Sequence, residues 1–324
     1  YTGEDTLSLH DALPIYTDMT EELNDLQYYV DKIRDFVEKR VDGDNEEFTF
    51  HQIVKHPKLP LIGEMDMNND KKIVDIKFSN NLSMKHVIQL LLYYHLLSPN
   101  FEKEYQLELW NFQLGNIYKI KINKESIDLY KLLKLLSKAL GRKLENMIFL
   151  YDLETTGTAY ANKKMDIIER HFEELTLGFV PSTGLLKPVG VPFIPFEVTQ
   201  RTGITKEAVY ESGDEYMTFQ FEMNELLSCC SMPVFIAHNG NSFDHKIMID
   251  KKILSYENAR LLDSRVIIRL FLNDPVVNKS LSDIFQYLFK FTPVVHRAHS
   301  EVKMLISILK RLDITEEKIL NILS

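Results

Sequence analysis

The acids with the clearest chemical spacing are Asp152 and Glu154, which follow an apolar run and precede Thr155-Thr156-Gly157. Two carboxylates at i and i+2 of a strand point to one face. Side by side they repel and shift each other's pKa unless a cation sits between them, and a divalent metal provides that cation. Gly157 allows a ligand or another chain segment to approach closely. A third acid, Asp244, ends the segment His238-Asn239-Gly240-Asn241-Ser242-Phe243-Asp244, which follows the short apolar run 233–237. A fourth, Glu301, stands five residues after His296 at the start of an expected helix. Four acids from three segments plus a histidine make up the set for two-metal phosphodiester hydrolysis. One ion would activate water, the other would stabilise the leaving oxygen, and His296 would take the water's proton. By itself Asp-x-Glu is a weak signal, and a solvated surface pair is its bland reading.

The first half carries a second constellation. Gly63-Glu64-Met65-Asp66 ends one β-like run, and Asp75-Ile76-Lys77 ends the next after the turn Asn68-Asn69-Asp70. Asp66 and Asp75 would share a metal, with Lys77 polarising the attacking water or stabilising charge on the scissile phosphate. Gln89 and Tyr93 follow at i and i+4 on one helix face.

Residues from about 146 to 312 resemble a DEDDh-type 3′–5′ exonuclease of the RNase H-like fold. The motifs are Asp152-Leu153-Glu154-Thr155-Thr156-Gly157, His238-Asn239-Gly240 with Phe243-Asp244, and His296-x-Ala298-x-x-Glu301, with Thr202-Gly203-Ile204-Thr205 and Leu262-Asp263-Ser264 between them. The resemblance implies two Mg²⁺ or Mn²⁺ ions held by Asp152, Glu154, Asp244 and Glu301, with His296 as general base. It also implies substrate contacts at Leu153, Thr155, Gly157, Ile204, His238 and Asn239, with Ile204 wedged against the terminal base. One position departs from the pattern: the family has Asp where this chain has Glu301. The extra methylene moves the carboxylate by about 1.5 Å, and two-metal sites tolerate such shifts poorly.

Residues of about 46–122 resemble RecB-like nucleases of the PD-(D/E)XK superfamily. The resemblance rests on Gly63-x-x-Asp66, Asp75-x-Lys77, Gln89-xxx-Tyr93 and the later turn Trp110-Asn111-Phe112-Gln113-Leu114-Gly115. It implies a restriction-endonuclease-like αβ core, one or two metal ions on Asp66 and Asp75, Lys77 as catalytic residue, and substrate contacts from Gln89 and Tyr93. Glu46, Glu47 and His51 are candidates for the first motif residue.

The elements that must position these groups follow from hydrophobic spacing. Leu23, Leu26, Val30, Ile33 and Val37 predict an amphipathic helix over 17–41. Strands are expected at 48–54, 59–67 and 71–78, a helix at 83–97, and strands at 105–112 and 116–122. A connector helix over 126–140 has Leu129, Leu132, Leu133, Leu136 and Leu140 on one face and Lys131, Lys134 and Lys138 on another. Over 119–143 there are eight Lys and Arg against two acids. That excess reads as a solvated face first and a phosphate-contacting ridge second. Beyond it, strands are expected at 147–153, around 175–180 and at 234–237. Helices are expected about Glu207 and Ala208, and at 217–227, 244–254, 281–289 and 297–311. Strands alternating with helices argue for a layered α/β domain.

The expected fold class is therefore α/β in two domains. Residues 16–125 form a PD-(D/E)XK core, 126–145 a basic linker helix, and 146–324 an RNase H-like three-layer α/β/α exonuclease domain. Residues 1–15 are set aside, because Asp5–Ile15 resembles one reading-frame translation of a sequencing-adapter oligonucleotide.

Composition bounds the rest. The chain has 324 residues, 45% hydrophobic and 26% charged, with a net charge of −9. This matches a globular protein and excludes wholesale disorder and a globally basic nucleic-acid coat. No apolar stretch is long enough to span a membrane. The neighbouring Cys229 and Cys230 make a poor disulfide framework and favour a reducing, intracellular setting, cytoplasm or nucleus, with a viral origin in view; no signal peptide is readable. The expected partner is nucleic acid, DNA before RNA, with no membrane; oligomeric state is unassigned. The expected function is a metal-dependent 3′–5′ exonuclease. Two alternatives stand beside it: the first half is the working nuclease and Glu301 has impaired the second, or the chain is a non-catalytic nucleic-acid-binding protein.

Overall fold

The computed structural model describes residues 7–8, 47–59, 61–99, 101–122, 128–157, 165–190, 193–292 and 296–323. The expected helix over 17–41 and the candidate Glu46 lie outside them. The chain divides into two compact units, Tyr1–Leu132 and Leu133–Ser324. Among the described residues no helix is long and apolar enough to cross a membrane.

The first unit is built on a six-stranded sheet. Its strands are β1 (Leu7–Ser8), β2 (Thr49–Lys55), β3 (Leu61–Asn68), β4 (Lys72–Lys77), β5 (Gln106–Asn111) and β6 (Asn116–Ile120). The order is β1-β3-β4-β5-β6, with β2 also pairing β3. Leu7 and Ser8, in the segment set aside from the sequence reading, pair parallel with Leu61 and Ile62. The turn between β3 and β4 is closed by Asn69, whose Oδ1 accepts the N–H groups of Lys71 and Lys72 at 2.8 and 2.7 Å. β4 and β5 run parallel, so a crossover must join them. Helix α1 (Met84–Leu97) is that crossover. One sheet face packs Met67, Val74, Trp110 and Phe112 into a core. Side chains alternate along each strand, so Asp66, Asp75 and Lys77 fall on the opposite face.

The second unit begins inside helix α2 (Leu129–Leu140). Its five-stranded sheet comprises β7 (Ile148–Thr155), β8 (Ile167–Glu174), β9 (Ser182–Leu185), β10 (Val234–Ala237) and β11 (Arg260–Asp263), in the order β11-β10-β7-β8-β9. β7, β10 and β11 are mutually parallel, whereas β8 and β9 are antiparallel additions. The helices are α3 (Phe196–Thr202), α4 (Lys206–Ser212), α5 (Tyr216–Cys229), α6 (Asp244–Asp250), α7 (Ser264–Phe271), α8 (Leu281–Phe289), α9 (Ala298–Arg311) and α10 (Glu316–Leu323). Ile148, Leu150, Val234 and Ile236 of the sheet share a core with Val302, Leu305, Ile308 and Leu309 of α9. Cys229 and Cys230 are buried free thiols.

Two elements differ from expectation. Helix α6 stops at Asp250, four residues early. The strand expected around 175–180 is Ile167–Glu174, and the chain turns at 175–177. Glu169, Arg170, His171, Glu173 and Glu174 hide that strand from any apolar pattern, yet every residue of β8 is buried. Three of these charges are matched from other elements. Arg170 donates to Asp214 and Glu222 at 2.8 and 3.2 Å. Glu173 accepts Lys303 Nζ at 2.7 Å, and Glu169 binds Arg297. Burial of such groups is tolerable only with this pairing.

Arg170 is 1% exposed as a side chain. Removing both partners in Asp214→Ala/Glu222→Ala strands its charge and should destabilise the protein by about 3–5 kcal/mol. Arg170→Met, which removes the charge itself, should be milder. Urea unfolding of the three proteins measures the order.

Candidate active site

The second unit contains a cavity of about 350 Å³ lined by Asp152, Leu153, Glu154, His238, Asn239, Asp244, His296 and Glu301, all expected from sequence. It opens at the carboxyl ends of the parallel strands β7 and β10, where open α/β sheets place their ligands. Asp152 and Glu154 lie two residues apart near the end of β7. Asp244 is the first residue of α6, after the turn that leaves β10. That turn is held by His245, whose ring meets Tyr151 Oη at 2.7 Å and Leu262 O at 3.0 Å. Gly240 lies against the same ring, and a Cβ there would stand 2.6 Å from His245 Nε2. Glycine is the residue that permits this approach.

His296 and Glu301 flank the start of α9. His296 adopts a left-handed φ of 77°. Its N–H donates to Glu301 Oε1 at 3.3 Å, and its Nδ1 stands 3.9 Å from the same oxygen. The segment is pinned by Glu169, which accepts Arg297 Nε at 2.9 and 3.1 Å, Arg297 Nη2 at 2.5 Å and the Ala298 N–H at 2.9 Å.

The electrostatics show that the four acids face one another. Burial first, then the charges of Glu301, Asp244 and Glu154, push Asp152 well above the usual carboxylate range. Glu154 is raised to about 7 by burial and by Glu301, against the opposing pull of Arg201. Asp244 is raised by burial, with Glu301 and Glu154 adding to it. Burial also raises Glu301, while the His296 N–H and the charges of His296 and Arg201 hold it down. Among the described residues Asp244 Oδ1 is buried with no hydrogen-bond partner. A hard divalent cation suits such oxygen donors. Among the described residues no three His, Cys, Asp or Glu side chains are drawn together closely enough to hold an ion as they stand.

Three expected substrate contacts lie elsewhere. Ile204 is 2% exposed in a core with Ile168, Val198 and Val209, so it presents no surface to a base. Thr155 donates to Gly157 O at 2.6 Å and closes the turn after β7, and neither residue lines the cavity. Phe243, part of the second exonuclease-like motif, also lines the cavity. Arg201, Arg265, Ser280 and Ser282 also line it and were missed. Arg201 directly precedes the Thr202-Gly203-Ile204-Thr205 segment and Arg265 directly follows Leu262-Asp263-Ser264, so sequence adjacency was the available signal. His171, for which sequence suggested no role, is buried and bonded to Thr183 at 2.8 Å and Glu173 at 3.3 Å.

The first unit brings its own set together. Asp66 Oδ2 accepts the Ile76 N–H at 2.7 Å, and Lys77 Nζ donates to Asp75 Oδ1 at 2.9 Å. Asp75 is raised to about 7 by burial, with Lys77 opposing and Asp66 adding to the shift. Gln89 Nε2 donates to Tyr93 Oη at 2.8 Å. Burial raises the Tyr93 phenol, and the charges of Asp75, Asp66 and Glu64 raise it further, which puts α1 beside the carboxylates. His51, exposed on β2, meets Glu64 at 3.2 Å.

No protein-family model matches the chain. It is 29% identical over 332 residues to a protein described as uncharacterized exonuclease R569 of Acanthamoeba polyphaga mimivirus, covering 90% of this chain and 98% of that protein. E. coli exonuclease I in complex with a dT13 oligonucleotide aligns with 55% of this chain at 13% identity and a TM-score of 0.44, and the chain spans 43% of that protein. Cell-death related nuclease 4 aligns with 52% of this chain and 64% of its own at 15% identity and a TM-score of 0.39.

The raised Glu154 pKa has a consequence for stability. Its folded value, about 7, exceeds its ordinary 4.5, so folding favours the protonated form. That contribution is complete below pH 4.5 and is lost as pH rises through 7, on the order of 3 kcal/mol. In a chelator, Glu154→Gln should therefore be more stable than the parent at pH 8 and gain little at pH 5. Mn²⁺ should narrow the gap at pH 8. Urea titrations at both pH values measure it, and equal stability at pH 8 contradicts the repelled, buried state.

Proposed function

We propose that the chain is a metal-dependent 3′–5′ exonuclease whose second unit is a DEDDh domain of the RNase H-like fold. The observation that carries this reading is the gathering of Asp152, Glu154, Asp244, Glu301 and His296 on one cavity. A sheet of three parallel strands extended by two antiparallel ones supports it, as does the similarity to the mimivirus exonuclease over nearly its whole length. Asp152, Glu154, Asp244 and Glu301 would hold two Mg²⁺ or Mn²⁺ ions. When bound, these supply Lewis-acid activation of water and offset the charge developing on the phosphate.

The chain's own residues do the remaining work. His296, half exposed at the cavity mouth, takes the proton of the attacking water at a ring nitrogen. Glu301 stands close enough to its Nδ1 to favour the imidazolium that results. Leu153, His238 and Asn239 form the wall against which the terminal nucleotide lies. Nucleic acid is the substrate class, with DNA placed before RNA.

A second reading has its own support. Asp66, Asp75 and Lys77 share one sheet face in the first unit, with Gln89 and Tyr93 on the helix beside them. This is the arrangement a RecB-like PD-(D/E)XK nuclease would use, with one or two ions on the two aspartates. If Glu301 impairs the second unit, cleavage belongs to the first.

Incubation of 5′-labelled single- and double-stranded DNA with Mn²⁺ separates the readings. The expected outcome is a ladder of 3′-shortened products, lowered about 10²–10⁴-fold by His296→Ala and unaffected by Lys77→Ala. Loss with Lys77→Ala alone transfers the activity to the first unit. Binding without cleavage by the unsubstituted protein makes the chain a non-catalytic binder.

A further inference from the structure

The cavity is lined by two arginines, and they differ in what their guanidinium groups already hold. Arg265 is engaged: Nη1 donates to Asn239 Oδ1 at 2.8 Å and Nη2 to Lys279 O at 3.3 Å. Among the described residues Arg201 has only an ion pair with Glu154, Nη2 to Oε2 at 3.7 Å, beyond hydrogen-bond reach, and its side chain is 40% exposed.

The backbone beneath Arg201 is stiff. Val198 and Ile204, on either side of it in sequence, are buried in one core cluster. Thr202 Oγ1 donates to Val198 O at 2.8 Å and accepts the Ile204 N–H at 3.1 Å. Gly203 ends α3 at a φ of 71°, its N–H on Thr199 O. A fixed platform thus presents a cation with unspent donors at the lip of an acidic cavity.

Charge arithmetic shows what that cation is for. Four ionised carboxylates balance two divalent ions, so the negative charge of a phosphodiester entering the loaded site falls to the two arginines, and Arg265 already spends both of its terminal nitrogens on Asn239 and Lys279. A planar guanidinium matches two phosphate oxygens in a bidentate fork. We propose that Arg201 is a substrate-binding residue that releases Glu154 and grips a backbone phosphate at the 3′ end of the strand. This rests on the exonuclease reading of the second unit.

The test compares the unsubstituted protein with Arg201→Gln and Arg201→Lys. Degradation of a single-stranded oligonucleotide with Mn²⁺ gives kcat/KM at several salt concentrations. Anisotropy of a 5′-fluorescein strand with Ca²⁺ gives binding. Arg201→Gln should bind about 10-fold more weakly and lower kcat/KM at least as much. The slope of log affinity against log salt should flatten by ~0.7, the signature of one lost single-strand phosphate contact. Arg201→Lys should restore the slope and only part of the rate, because an ammonium is a point charge without the fork. Unchanged affinity and slope in Arg201→Gln, with only the Mn²⁺ requirement altered, would overturn the inference and leave Arg201 as a counter-ion to Glu154. An unsubstituted protein that shortens no strand overturns the exonuclease reading and this inference with it.

Discussion

Four carboxylates share one largely buried cavity, and they cannot all be charged there without a positive partner. Burial raises all four, and repulsion from the neighbouring carboxylates adds to the shift at Asp152, Glu154 and Asp244. Arg201 and His296 relieve only part of this. Like charges held together by a fold are a recurrent signature of functional sites, because no stability requirement would assemble them. The fold therefore stores an electrostatic demand for positive charge at this cavity.

Holding that demand in place falls to an unusual strand. β8 is buried throughout but carries five charged or titratable side chains, most of them spent on partners from distant segments. Glu169 lies opposite Glu154 in the β7–β8 register, and its bonds to Arg297 and Ala298 tie the start of α9 to the sheet. His296 and Glu301 flank that tether. Lys303 repeats the link four residues further along β8, through Glu173. The active-site segment is thus fastened by ion pairs, which fix direction better than apolar contacts do.

The first unit solves a similar problem with fewer parts. A two-strand hairpin places Asp66 beside Asp75, and the Asp-x-Lys spacing puts Lys77 on the same face, where it neutralises the buried Asp75. The crossover helix then lays Gln89 and Tyr93 alongside. Here a lysine internal to the site opposes the rise that burial and Asp66 impose on Asp75. A buried pair of this kind is weak evidence for stability and better understood as a retained chemical device.

Much of the arrangement was legible in the residues themselves. Strand period two dictated that Asp152 and Glu154, and Asp75 and Lys77, share faces, and apolar runs located β7, β10 and α9 closely. Where spacing failed, the cause is physical. β8 lacks an apolar pattern because its partners lie up to 130 residues away, and no local rule reports a salt bridge that folding has yet to make. Ile204 and Arg201 show the same limit at the site. Local motif placed Ile204 at the substrate, but which of two nearby side chains enters the core depends on the surface that Ile168 and Val209 offer. Sequence alone determined which groups could do chemistry and which neighbours along the chain face together. Tertiary structure alone decided which distant groups meet and which charges stay unpaired, since burial and long-range Coulomb interactions exist only once the chain has closed upon itself.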